Sequence, residues 1–240
     1  MVVKSQLKYI KSLQQKKFRN THNRFVAEGL KTVSELLGSG CKAETLMTTE
    51  VDLSQVSGQA TQLISTKQMA QISSLKNPSR VLGVFEIPKP VEVQFSDWVL
   101  ALDSIRDPGN LGTIIRLCDW FGIAHLLCSP DTVDAYNPKV LQATMGSIAR
   151  VNLVYTDLLA ILKSAPVPVY GAFMDGDSLY ETKLPQNGIL ILGNEARGIS
   201  KDVSALIGQK LGIPQYGQPT AESLNVATAT AILLHEVRRA

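Results

Sequence analysis

Five short apolar runs dominate the second half of the chain: "WVLALDSI", "AHLLCS", "RVNLVYT", "VPVYGAF" and "GILIL". They constrain the fold more than any other feature. Most are too continuously apolar to face water on one side, so they read as strands buried on both faces. Helical patterns separate them: "TIIRLCDWFG", closed by Gly122, a helix from Pro138 to about 146, "DLLAILKSA", and a helix from Ser200. A last strand, "KLGIP", precedes a long final helix over 222–239. Strands alternating with helices predict an α/β fold with a mostly parallel sheet covered on both faces.

The first ninety residues read as a smaller α/β unit. The apolar spacing predicts a helix over 5–17 with Ser5 as N-cap, and a second over 25–37 ended by Gly38-Ser39-Gly40. Strand-like runs follow near 45–48 and 62–65, then a short helix near 67–72 and a strand over 80–87. "IPKPVEVQFSD" has two prolines and no helical period, which places a boundary near 88–96 and divides the chain into 1–92 and 96–240. No apolar run reaches the ~18 residues that suggest a membrane span, and the N-terminus lacks the apolar core of a secretory signal. Three widely spaced cysteines, Cys41, Cys118 and Cys128, fit neither a disulfide framework nor a zinc site. The simple reading is a reducing, cytoplasmic setting, with no membrane and no metal.

Net charge is only +3, but it is unevenly placed. Lys4, Lys8, Lys11, Lys16, Lys17, Arg19 and Arg24 all precede the first acid, Glu28, leaving 17 of the 24 bases against all 21 acids. A basic arm on a mildly acidic body points to a polyanion, RNA or DNA. A solvated helix face would give the same spacing of Lys4, Lys8 and Lys11.

The run Ile189 to Leu192 ends abruptly in Gly193-Asn194-Glu195-Ala196-Arg197-Gly198. A loop needs glycine for backbone freedom, but not an amide, a carboxylate and a guanidinium between two glycines. The familiar ligand loops are missing: no G-x-G-x-x-G, no P-loop, no nucleophile elbow. His22, His125 and His235 lie far apart, and His125 reads as a satisfied core histidine. Three polar loops after strands remain: "RDPGNLGTIIR", "GNEARGIS" and "IPQYGQPTAESLN". Taken singly, Asn110 fits a turn or an N-cap, Glu195 a helix cap, Ser223 and Asn225 helix starts, and Arg197 a surface position. Arg116 sits among Ile114, Ile115 and Leu117, where a guanidinium needs a partner.

In order and spacing, "NLGTIIR", "LGNEARGIS" and "IPQYGQPTAESLNVATATAI" resemble the three motifs of the SpoU/TrmH family of RNA ribose methyltransferases, within the SPOUT superfamily. The likeness covers about 96–239; "KFRNTHNRFVAEGLKTVSELL" resembles the RNA substrate-binding domain that precedes such catalytic domains. The resemblance implies a C-terminal parallel sheet with a deep trefoil knot, S-adenosylmethionine as cofactor, a homodimer, and methyl transfer to a ribose 2′-hydroxyl. It maps the first motif onto Asn110, Gly112 and Arg116, the second onto Gly193, Asn194, Glu195 and Gly198, and the third onto Ile213, Pro214, Ser223, Leu224 and Asn225. Catalytic roles then fall to Asn110, Arg116, Glu195, Ser223 and Asn225. Gly193, Asn194, Gly198, Ile213, Pro214 and Leu224 would hold the cofactor, and Arg197 and the seven bases of the arm would meet RNA. Two positions depart from the family pattern, Gln215 after Ile-Pro and Ala227 after Ser-Leu-Asn-Val, and "QYGQPTAE" is long. Ribosomal RNA of the large subunit is the expected substrate. The alternatives are a transfer-RNA ribose methyltransferase, an inactive RNA-binding assembly factor and a small-molecule methyltransferase.

Overall fold

The computed structural model describes residues 3–217 and 223–239. The chain divides into two compact units, one of 1–89 with 134–149 and the other of 90–133 with 150–240.

In the first unit, α1 (Lys4–Ser12) and α2 (Lys16–His22) lead into β1 (Arg24–Glu28), α3 (Leu30–Gly38) and β2 (Ala43–Thr48). A small hairpin of β3 (Gln55–Val56) and β4 (Gln59–Ala60), then β5 (Gln62–Leu63), α4 (Thr66–Ile72) and β6 (Val81–Glu86), complete it. The main sheet has the order β1-β6-β2-β5. Leu7, Ile10 and Leu13 pack with Met47, Met69 and Leu82 in its core. Ser65 caps α4 in a reciprocal capping box with Gln68, as a Ser-x-x-Gln spacing allows.

Two sequence expectations fail here for identifiable reasons. The helix expected over 5–17 is broken into α1 and α2, and Ser5 makes no cap, the N-cap being Val3. The buried guanidinium of Arg19 donates to the carbonyls of Leu13 (2.9 Å) and Gln14 (2.7 Å), which satisfies acceptors that the break leaves open. The helix expected over 25–37 begins instead as strand β1. Phe25, Val26 and Ala27 are all buried, and β1 pairs antiparallel with β6 in the register Phe25↔Phe85. Gly29, at φ 101°, makes the turn from strand to helix.

The second unit holds β7 (Trp98–Asp103), α5 (Pro108–Trp120), β8 (His125–Cys128), β9 (Asn152–Tyr155), α7 (Leu158–Lys163), β10 (Val169–Ser178), β11 (Gly188–Gly193), α8 (Lys201–Ser204), β12 (Gln209–Gly212) and α9 (Val226–Arg239). Its sheet is six-stranded, ordered β12-β10-β11-β7-β8-β9, and the paired strands run parallel. Val99, Ala101, Ile189 and Ile191 pack with Leu158, Leu162 and Val203 on one face. The alternate residues Leu100, Leu102, Leu190 and Leu192 are equally buried, as expected of strands covered on both sides. His125 is buried; its Nδ1 lies 3.0 Å from Asn152 Nδ2 and its Nε2 accepts from the Gln94 N–H. Burial lowers its pKa.

The segment 134–149, with helix α6 (Pro138–Thr144), belongs to the first unit although it lies within the expected span 96–240. Asp134 meets the 2%-exposed Arg19 in an ion pair, Tyr136 packs on Phe25 with centroids 4.9 Å apart, and a Cβ on Gly146 would lie 2.7 Å from Glu35 Cβ. A buried guanidinium requires a carboxylate, and here a distant stretch of chain supplies it. Excising 96–240 would strip α6, with buried Val140 and Leu141, from β1, so the full chain is the unit for experiment.

Candidate active site

Strand order reverses in the second unit between β7 and β11: β8 and β9 lie to one side, β10 and β12 to the other. Ligands of open α/β sheets sit beyond the carboxyl ends of strands at such a switch point. The strands end together there, Gly193 opposite Asp103, and the first two polar loops leave from these ends.

The loop after β7 is set by Asp107, whose side chain caps α5 through the Asn110 N–H (2.8 Å), with Pro108 in the first turn. Asn110 thus sits inside the first turn of a helix that begins earlier than the sequence suggests, and its side chain is released for other work. The loop after β11 closes on itself. Asn194 and Gly198 exchange backbone hydrogen bonds of 3.0 and 2.8 Å. Asn194 Oδ1 accepts from the N–H groups of Ala196 (3.0 Å) and Arg197 (3.1 Å), while its Nδ2 donates to Ser104 O (2.8 Å). The loop is therefore rigid, and the Asn194 side chain is spent in shaping it. Gly193 is required by close approach: an added Cβ would lie 2.2 Å from Gly198 C and Ile199 N.

The third loop joins the other two through one hydrogen-bonded chain. Asn110 Nδ2 donates to Glu195 Oε1 (2.7 Å), and Asn225 Nδ2 donates to Asn110 Oδ1 (2.9 Å). Asn225 Oδ1 accepts from the N–H groups of Ala227 and Thr228, so the same residue caps α9. Three segments far apart in sequence converge on one amide, Asn110.

A mostly apolar cleft of about 340 Å³ opens beside this chain. Gly193, Asn194, Glu195 and Gly198 line it from the second loop, and Ile213, Pro214, Ser223 and Leu224 from the third. Sequence reasoning missed Phe173 and Met174 of β10, as well as Leu192 and Leu233, which also line it. The only signal for Phe173 was its place at the end of the apolar run "VPVYGAF", and Met174 lies just beyond that run. Gln215 borders the cleft and Ala227 is buried in the first turn of α9; of "QYGQPTAE", residues 218–222 lie outside the described residues. The lining of the cleft fits an adenosine-bearing cofactor, with apolar walls for the adenine and close-packed backbone at Gly193.

The apolar setting expected for Arg116, with its need for a partner, is not found. Arg116 is exposed on α5, does not line this cleft, and has no side-chain partner among the described residues. The apolar neighbours that suggested a need for a partner face inward, while Arg116 faces out. It shares one stripe, at helical spacing, with Gly109, Thr113 and the 84%-exposed Trp120.

With this geometry in hand, the comparisons with known proteins are specific. The sequence profile of the SpoU rRNA methylase family matches residues 97–235, which contain all three motif loops. The chain belongs to this family. Membership carries the reaction class, methyl transfer to an RNA ribose 2′-hydroxyl, and the cofactor, S-adenosylmethionine. An MRM3-like substrate binding domain matches residues 4–83. Among relatives, the 23S rRNA (guanosine(2553)-2′-O)-methyltransferase RlmP of Bacillus subtilis is 33% identical over 236 residues, covering 95% of this chain and 94% of its own. A TrmH-family structure from Porphyromonas gingivalis superposes with a TM-score of 0.91 at 40% identity, covering 100% and 99% of the two chains. An AdoMet-bound rRNA methyltransferase from Sinorhizobium meliloti gives 0.87 at 32% identity, covering 100% and 97%.

The basic arm is smaller than its sequence. Arg19 is buried on Asp134, and Arg24 pairs with Glu44 (2.7 Å) and Glu86 (3.1 Å). Neither is free to meet a polyanion, which leaves the exposed Lys4, Lys8, Lys11, Lys16 and Lys17. Removing 1–24 would also remove core residues Leu7, Ile10 and Leu13, so the discriminating variant replaces the five lysines by glutamine. If the arm grips RNA, the log–log salt slope of binding is expected to flatten by about one unit for each phosphate no longer neutralised, with the melting temperature unchanged. An unchanged slope would assign these lysines to a solvated helix face.

Proposed function

We propose that this family member methylates a ribose 2′-hydroxyl in large-subunit ribosomal RNA, as a cytoplasmic homodimer. The observation that carries the reading is the chain Glu195–Asn110–Asn225, which ties all three motif loops together at the mouth of the cleft. An inactive fold would have no need of this arrangement. The 23S rRNA specificity of the Bacillus relative, matched over nearly its full length, supports the substrate. Three free cysteines, two of them buried, support a reducing compartment.

S-adenosylmethionine, when bound, supplies a methyl group already activated on a sulfonium. The chain must supply aim and charge compensation. Leu192, Ile213, Pro214 and Leu224 would hold the adenosine, the rigid 194–198 loop would fix its position, and Ser223 and Asn225 would hold the third loop against substrate. Glu195 and Asn110 would position the ribose. Arg116 would clamp phosphate and ribose and stabilise negative charge developing on the 2′-oxygen, the proton leaving to phosphate or water. A guanidinium holds its own proton beyond pH ~12, so a positioning role suits it better than that of a base.

The same residue supports the homodimer reading. In one chain Arg116 stands clear of the cleft, on a stripe that also exposes Trp120, and a second copy packed on this stripe would bring it to a site. Sedimentation equilibrium reads this state directly. The packing of α9 against α5 and β11, with β12 at the far edge of the sheet, supports the threaded C-terminal segment of a trefoil knot.

Mapping of 2′-O-methyl groups in RNA from cells with and without the protein tests the substrate. Loss of a methyl group from large-subunit ribosomal RNA is the expected result. Loss from transfer RNA alone, or from no RNA, would overturn it.

A further inference from the structure

A second cleft, of about 470 Å³, lies on the other side of the 194–198 loop. It shares Asn194, Glu195 and Gly198 with the apolar cleft, so a group placed in it adjoins the site of methyl transfer. Its chemistry is different. Asp103, Ser104, Asp131 and Ser200 line it, along with two arginines, Arg106 and Arg197.

The acids are already committed. Asp103 is 5% exposed and accepts the Ser200 N–H at 2.7 Å. Asp131 accepts hydroxyls from Ser104 (2.6 Å) and Ser129 (2.8 Å); these bonds, with Arg106 nearby, lower its pKa below the usual carboxylate range. Ser104 is held at φ 63°, an uncommon conformation for a residue with a side chain. The two guanidiniums make no hydrogen bonds among the described residues. Arg106, with a 63%-exposed side chain, approaches Asp131 only to 3.7 Å, beyond hydrogen-bond range. The Arg197 guanidinium has no partner among the described residues. Yet the loop that carries it is pinned by four hydrogen bonds, through Asn194 and Gly198. A rigid mount lowers the entropy cost when such a side chain binds.

Two planar donor forks without hydrogen bonds among the described residues, beside a site that must hold an RNA strand, call for a multidentate anion. The carboxylates of Asp103 and Asp131 disfavour an anion that sinks into the cleft and leave the exposed arginine side chains for one that cannot. A phosphodiester within a chain meets both conditions. We propose that Arg106 and Arg197 form a clamp for the RNA backbone phosphate next to the methylated ribose. The clamp rests on the RNA methyltransferase reading above and adds to it two residues outside the three motifs' catalytic positions.

The test uses the full-length protein and large-subunit ribosomal RNA transcribed in vitro, hence unmodified. Binding is measured at several salt concentrations for the wild type, Arg106→Ala, Arg197→Ala, the double variant and the double lysine variant. Each alanine is expected to flatten the log–log slope by up to about one unit, and the double variant by up to about two. The KM for RNA rises, and lysine restores most of the slope because it still neutralises a phosphate. The adenosylmethionine dissociation constant and the melting temperature, read on the same samples, stay at wild-type values, since neither residue lines the apolar cleft. A double variant with wild-type slope and KM overturns the clamp while leaving the methyltransferase reading intact. A wild-type protein that neither binds nor methylates this RNA overturns that reading, and the clamp with it.

Discussion

Arg116→Ala is expected to lower kcat by about 10²–10³-fold, the usual cost of removing one preorganised donor from a developing oxyanion. Adenosylmethionine affinity is expected to stay near the wild-type value, because Arg116 does not line the apolar cleft of its own chain and is placed on the side of the hydroxyl, not the cofactor. The fold should be equally untouched: the side chain is exposed and bonds to nothing among the described residues. Arg116→Lys separates charge from geometry. A point charge keeps part of the electrostatic effect but loses the bidentate fork, so its activity should fall between those of wild type and alanine. Single-turnover methylation of the true RNA, with cofactor titration alongside, measures both quantities. Near wild-type turnover by the alanine variant would remove Arg116 from the reaction, and with it the main reason for placing the site across two copies.

Gly193→Ala is expected to weaken adenosylmethionine binding by about 10- to 100-fold. The new methyl would stand 2.2 Å from Gly198 C and Ile199 N, both backbone atoms of a loop closed by its own hydrogen bonds. Neither atom can swing aside as a side-chain end would. The loop must move, and overpacking of this kind costs about 1–3 kcal/mol. That displacement falls on the wall the cofactor would touch. Gly217→Ala is the control: nothing among the described residues lies within 4 Å of its added Cβ, and its affinity should match wild type. Titration calorimetry on the full chain decides the matter. Equal affinities for the two variants would mean that the cofactor does not rely on the 193–198 wall.

The limits of sequence reading are clearest in Arg19 and Arg116. Immediate neighbours mislead about the surroundings of both. Arg19 read as a solvated base of a polyanion-binding arm, but the tertiary fold buries it on Asp134, 115 residues away in sequence. Arg116 read as a guanidinium in an apolar setting, but helical geometry sends Ile114 and Ile115 inward and Arg116 outward. The same blindness turned Phe25–Ala27 into helix. Their apolarity was plain, but only pairing with β6 makes them a strand. Asn110 was legible as a turn or cap residue and as a motif position, but its place between Glu195 and Asn225 was not.

By itself, the sequence determined what local chemistry can carry. Continuous apolar runs implied strands buried on both faces, their alternation with helices implied a parallel sheet, and three polar loops in fixed order carried the resemblance from which the family and its reaction were expected. These are properties of residue type and spacing, and they survive without coordinates. The tertiary structure decided which of the loop residues meet, that the Asn194 side chain shapes its loop, that 134–149 packs with the first unit, and which bases remain free. Each of those outcomes depends on a partner distant in sequence or on the direction a side chain takes from its helix. Neither is encoded in a window of neighbouring residues, because both are selected by burial and by the need to satisfy every buried polar group in the folded whole.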